Sequence, residues 1–167
     1  MAPRPVFYVL SSHWDREWYE TFQNYRVQLV QMFDRLIEGW ESGRLRGPFQ
    51  CDGQAILLED YLEVRSGRAA QARRLVAEGK IVLGPWYTLP DEFLVSGESL
   101  VRNLRMGREV ARQFGGAPSN AGFACDLFGH VSQMPQIFRG FGIQGGFLWR
   151  GTNSPESRHL IWRGADG

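Results

Sequence analysis

The chain has 167 residues, 43% of them hydrophobic, 13% aromatic and 22% charged, which is enough apolar content for a packed core and excludes a disordered chain. Nineteen basic against 18 acidic residues leave a formal net charge of +1, so no nucleic-acid partner is expected. The longest apolar run near the N-terminus, Val6 to Leu10, is too short to span a membrane or to form a signal-peptide core. The reading is a cytoplasmic protein without a membrane partner.

Val6 to Leu10 is β-branched and aromatic without polar alternation, which predicts a first strand buried on both faces. Leu29, Met32, Phe33, Leu36, Ile37 and Trp40 fall at helical spacing and end at Gly43. Phe49 to Cys51 is a second strand. Ile56 to Val64 and Arg68 to Glu78 are two helices, the latter closed by Gly79. Lys80 to Leu83 is a third strand, followed by a long loop to Gly97. Leu100, Leu104, Gly107, Ala111 and Phe114 mark one face of a longer helix. Ala121 to Cys125 is a fourth strand, Met134 to Phe141 a short helix, and Phe147 to Trp149 a fifth strand. Leu160 to Trp162 begins a sixth. Cys51 and Cys125 are far apart and read as buried reduced thiols, not as a disulfide or a zinc knuckle.

This rhythm predicts an α/β fold with parallel strands and crossover helices, either a layered sheet or a barrel. In both, chemistry collects where the strands end. Four strand ends carry suitable groups. His13 and Asp15 follow the first strand two residues apart, a spacing that lets an imidazole and a carboxylate converge on one zinc ion or sit in a hydrogen-bonded turn. Asp126 is the first acidic residue after the fourth strand. It reads as a metal ligand, a nucleophile, or a cap of the following turn. Asp91 and Glu92 lie in an aromatic loop that would suit a sugar or pack as an ordinary loop. Arg150, after the fifth strand, could balance a carboxylate, hold a substrate oxygen or lie on the surface.

Three segments carry a resemblance. S-H-W-D-R-E-W-Y at 12–19, G-P-W-Y-T-L-P-D-E-F-L-V-S-G-E-S at 84–99 and C-D-L-F-G-H-V-S-Q-M-P-Q-I at 125–137 together resemble glycoside hydrolase family 38, the zinc-dependent retaining α-mannosidases. The last two are closest to its bacterial branch, which includes mannosylglycerate hydrolases. The resemblance runs through nearly the whole chain in order. It implies an irregular seven-stranded strand-helix barrel at the N-terminus of a larger enzyme. Residues 1–167 would then be its N-terminal catalytic segment, cut before the barrel closes. A complete strand-helix barrel typically takes ~250 residues.

The resemblance further implies one zinc ion held by His13, Asp15 and Asp126, with Asp126 also the nucleophile that forms a covalent glycosyl-enzyme. Trp18 matches a ring that stacks on the sugar, Phe128 an aromatic of the same pocket, and Arg150 an arginine beside the nucleophile. The implied substrate is an α-mannoside. The family's fourth zinc ligand and its general acid match no position here, and His159 fits neither. An unclosed strand edge leaves pairing into a homo-oligomer open. Two alternatives remain: a non-catalytic zinc- or sugar-binding module, and a metal-dependent polysaccharide deacetylase. The deacetylase is disfavoured because no H-x-x-x-H pair occurs.

Overall fold

The structure is a computed structural model that describes residues 3–153 and 159–167. Its elements alternate in the expected order: β1 (Leu10–Ser11), α1 (Phe22–Glu41), β2 (Phe49–Gln50), α2 (Ile56–Val64), α3 (Ala69–Ala77), β3 (Ile81–Val82), α4 (Gly97–Gln113), β4 (Ala121–Ala124), α5 (Met134–Gly140) and β5 (Gly145–Leu148). Every pairing is parallel, as strands joined through helices require.

The strands form two sheets. One has the order β1-β2-β3, in register Leu10 with Phe49 and Phe49 with Ile81. The other pairs β4 with β5, Ala124 opposite Leu148. Among the described residues the strands do not close a barrel, so the seven-stranded form is not seen. Leu160 to Trp162 forms no strand. Among the described residues, hydrogen bonds link the sheets. The Ser119 amide donates to the Leu83 carbonyl at 3.1 Å. The indole N–H of the fully buried Trp86 donates to the Phe123 carbonyl at 2.6 Å.

Two cores follow from this division. Phe33, Ile37, Leu57, Leu58, Tyr61 and Ile81 belong to a large cluster between α1, α2 and α3 and the first sheet. Trp86, Leu100, Leu104, Met134, Phe138 and Ile143 form a smaller one. Helix α4 serves both: Leu100 and Leu104 enter the small core, whereas Val110 and Ala111 enter the large one. Its Ser96 cap accepts from the Ser99 amide at 3.2 Å. Gly107 faces the Trp86 main chain so closely that an added Cβ would lie 2.1 Å from its carbonyl carbon. Only glycine permits that approach.

The first strand differs from expectation. Only Leu10 and Ser11 pair, and Val6, Phe7, Tyr8 and Val9 are exposed, not buried on two faces. Among the described residues β1 is an edge with one neighbour, and no strand pairs with the residues before Leu10. Helix α1 also starts earlier than its apolar face, at Phe22, capped by Thr21, whose side chain accepts from the Asn24 amide at 3.5 Å. The cysteines agree with the sequence: both are buried and free. Burial pushes the Cys125 thiol up to about 11 and the Cys51 thiol further, which keeps both protonated and unreactive.

Candidate active site

The loop after β1 is tied down before it reaches the site. Arg16 makes a two-pronged contact with the buried carboxylate of Asp60 on α2, at 2.8 and 2.9 Å. The Trp14 ring meets Tyr25 of α1 edge-on. His13 and Asp15 flank this anchored tryptophan. Asp126 and Arg150 arrive by register. Ala124 and Leu148 are paired, so Asp126 and Arg150 each stand two residues beyond the paired rung and lie side by side. Their side chains form an ion pair.

The two loops bring His13, Asp15 and Asp126 together. His13 Nε2 lies 3.0 Å from Asp126 Oδ2 and 3.6 Å from Asp15 Oδ2. One ligand atom from each of the three lies within 4.8 Å of the others. One nitrogen and two carboxylate oxygens are a donor set that zinc accepts. The other His13 nitrogen, Nδ1, contacts Asp52 Oδ2 at 3.0 Å. That bond leaves Nε2 as the nitrogen facing Asp15 and Asp126. A metal-ligating histidine is commonly oriented in this way. The three residues therefore fit a single divalent ion.

The sequence reading does not include Asp52. It is nearly fully buried and also accepts from the Trp14 amide at 2.8 Å and the Gln54 side chain at 3.3 Å. Burial raises its pKa, while the Trp14 amide, His13 and Gln54 pull it down. The signal was available, because Asp52 is the first acidic residue after β2, as Asp126 is after β4. Asp52 and Asp126 both have positive φ, 50° and 55°. A side chain rarely adopts this backbone, and such outliers cluster at functional sites. Gln54 joins the loops: its amide donates to the Trp14 carbonyl at 2.9 Å, and its oxygen accepts from the Leu89 amide at 3.2 Å.

A cleft of about 320 Å³ opens here, lined by His13, Asp15, Gln54, Thr88, Asp91 and Asp126 among others. The adjacent carboxylates of the third loop part company. Asp91 lines the cleft, whereas the Glu92 side chain is wholly buried against His130. The predicted aromatics are less gathered. Phe128 is exposed and lies under the Arg150 guanidinium, 4.5 Å from its ring centre. Trp18 is 64% exposed and stacks on Tyr19. No described helix is long and apolar enough to cross a membrane.

Comparison with known proteins shows what the chain as a whole is similar to. Residues 4–167 match the family described as glycosyl hydrolases family 38 N-terminal domain. A protein of Halalkalibacterium halodurans named "Putative mannosylglycerate hydrolase" is 39% identical over 93% of this chain and 19% of its own length. Alpha-mannosidase 2x of Mus musculus is 30% identical over 80% of this chain and 12% of its own. The crystal structure of an alpha-mannosidase from Enterococcus faecalis V583 superposes with a TM-score of 0.81 at 36% identity, over 84% of this chain and 16% of that one. The chain thus spans less than a fifth of the length of these relatives. Within those bounds, this chain belongs to glycoside hydrolase family 38, through the family's N-terminal domain.

Proposed function

We propose that this chain carries the metal-binding and nucleophilic part of a retaining α-mannosidase. The observation that carries the reading is the meeting of His13, Asp15 and Asp126 from two different strand ends, with Arg150 on the far oxygen of Asp126. His13, Asp15 and Asp126 would hold one zinc ion, whose chemistry when bound is to orient sugar hydroxyls and favour ring distortion.

Retention requires two carboxyls, one as nucleophile and one as acid. The Asp126 carboxylate attacks the anomeric carbon as the bond to the leaving oxygen breaks, and that oxygen takes a proton from the acid. Water then cleaves the glycosyl ester and gives its proton back to the acid's conjugate base, restoring Asp126. Arg150 sets a positive charge against the Asp126 carboxylate and fixes its direction. Asp91 opens into the cleft as an acceptor for sugar hydroxyls. Phe128 and Trp18 offer exposed ring faces for the apolar side of a mannose ring. None of the described residues is assigned as the acid or as a fourth ligand.

Two measurements on the zinc-loaded chain test this. Mannose binding, followed by NMR, is expected to require zinc and to fail in Asp126→Asn. With an aryl α-mannoside, turnover is expected to be slow or absent, to vanish in Asp126→Asn, and to release the α-anomer first. Zinc-independent mannose binding, or a β-anomeric first product, would contradict the reading. Robust turnover would show that the acid lies within the chain.

A further inference from the structure

Glu92 and His130 form a polar pair beneath the site that the proposed chemistry leaves unused. The Glu92 side chain is wholly buried and that of His130 is 7% exposed. His130 Nδ1 lies 3.0 Å from Glu92 Oε1, and Nε2 lies 2.8 Å from the Arg150 carbonyl oxygen. A carbonyl only accepts, so Nε2 carries a proton and donates it there. The Nδ1 contact holds a second proton, shared with the carboxylate. The remaining Glu92 oxygen accepts from the Val131 amide at 2.7 Å. The Trp162 ring meets the imidazole edge-on at 5.3 Å. No polar side-chain atom buried among the described residues lacks a partner.

A buried ion pair is weak evidence for stability, because removing both groups from water offsets most of their attraction. Its position says more. The pair joins three loops: Glu92 comes from the loop after β3, His130 from the one after β4, and the Arg150 carbonyl from the one after β5. The Arg150 side chain is nearly half exposed and long, so its own contacts with Asp126 and the Phe128 ring leave it rotamer freedom. Fixing its main chain narrows where the guanidinium can go.

We propose that Glu92 and His130 are positioning residues that hold the Arg150 backbone so that its guanidinium meets Asp126. This rests on the reading of Asp126 as nucleophile for its catalytic meaning, but its test needs no substrate. The side-chain amide of glutamine reaches about as far as Nε2, and that of asparagine about as far as Nδ1. His130→Gln therefore keeps the donor to the Arg150 carbonyl, whereas His130→Asn keeps only the Glu92 contact.

The readout is rotation about the Arg150 guanidinium C–N bonds, followed by nitrogen-exchange NMR on the arginine-labelled chain, with Arg150→Lys identifying the signals. His130→Asn is expected to speed rotation about tenfold, as losing one strong hydrogen bond would. His130→Gln should stay within about twofold of the parent. Equal acceleration in both variants would mean a merely structural role and would overturn the proposal. So would a His130→Asn chain that folds and rotates like the parent. Should neither histidine variant fold, Glu92→Gln carries the test: acceleration is expected, and its absence overturns the proposal. Failure of the mannoside experiments would leave this result unchanged, because the NMR signal reads the contacts of the Arg150 guanidinium and needs no substrate.

Discussion

The two sheets are built to different standards, and the candidate site lies on the seam between them. The β1-β2-β3 side is covered by three helices over a large core that includes the fully buried Phe33, Ile37, Leu57 and Tyr61. The β4-β5 side rests on a smaller core, and it leaves Phe147, Trp149, Leu160 and Ile161 exposed beside an open cavity of about 710 Å³. His13, Asp15 and Asp52 come from the better-packed side. Asp126 and Arg150 come from the other. A catalytic cluster drawn from two strand ends needs its halves held in register. Trp86 and α4 do this by touching both sides.

The largest effect should separate the cores directly. Phe33→Ala, in the large cluster, is expected to cost about 3–5 kcal/mol, whereas Phe138→Ala, beside the open cavity, should cost nearer 2–3 kcal/mol because its surroundings can collapse or fill with water. Urea unfolding of the two variants measures both values. Equal losses would erase the distinction between the two sides.

Next in size is the seam itself. Asp52→Ala leaves His13 Nδ1 and the Trp14 amide without their shared acceptor, so zinc affinity is expected to fall roughly 10- to 100-fold. Competition against a chromophoric chelator measures this. An unchanged affinity would mean that His13 needs no orienting partner.

The smallest effect lies far from the seam. Burial raises the Asp34 carboxyl, but hydrogen bonds from Arg65 and Tyr61 outweigh it and hold the group below the usual carboxylate range. A depressed folded-state pKa stabilises the protein above the unfolded value near ~4 and is lost as pH falls through the folded one. The pair is partly exposed, so its worth is under ~1 kcal/mol after solvent screening. Parent stability should exceed that of Asp34→Asn at pH 7, and the gap should narrow as pH falls below ~4 and through the folded-state value. Thermal melts across that window would show a constant gap if the account were wrong.

Much of this was legible in the sequence, for identifiable reasons. Ile56 to Val64 is the helix that its spacing predicts, because its apolar face packs directly on the core. The strand-end rule located His13, Asp15 and Asp126, since parallel strands deliver their following residues to one edge. It would have found Asp52 as well had it been applied to β2. Periodicity could not show that Val6 to Val9 are exposed, because burial depends on a neighbour far away in sequence. Nor could it show that the strands divide into two sheets. Asp91 and Glu92 read as one acidic pair, yet the chain enters a turn at Glu92 that separates their side chains. One therefore lines the cleft and the other is buried on His130.

The central claim is that His13, Asp15 and Asp126 form one metal site across the seam. Zinc stoichiometry by elemental analysis after dialysis, comparing the parent chain with the His13→Ala/Asp15→Ala double variant, tests it most directly. One zinc per parent chain and none in a folded double variant is the predicted result. Equal zinc in both, or a metal-free parent at saturating zinc, would contradict it.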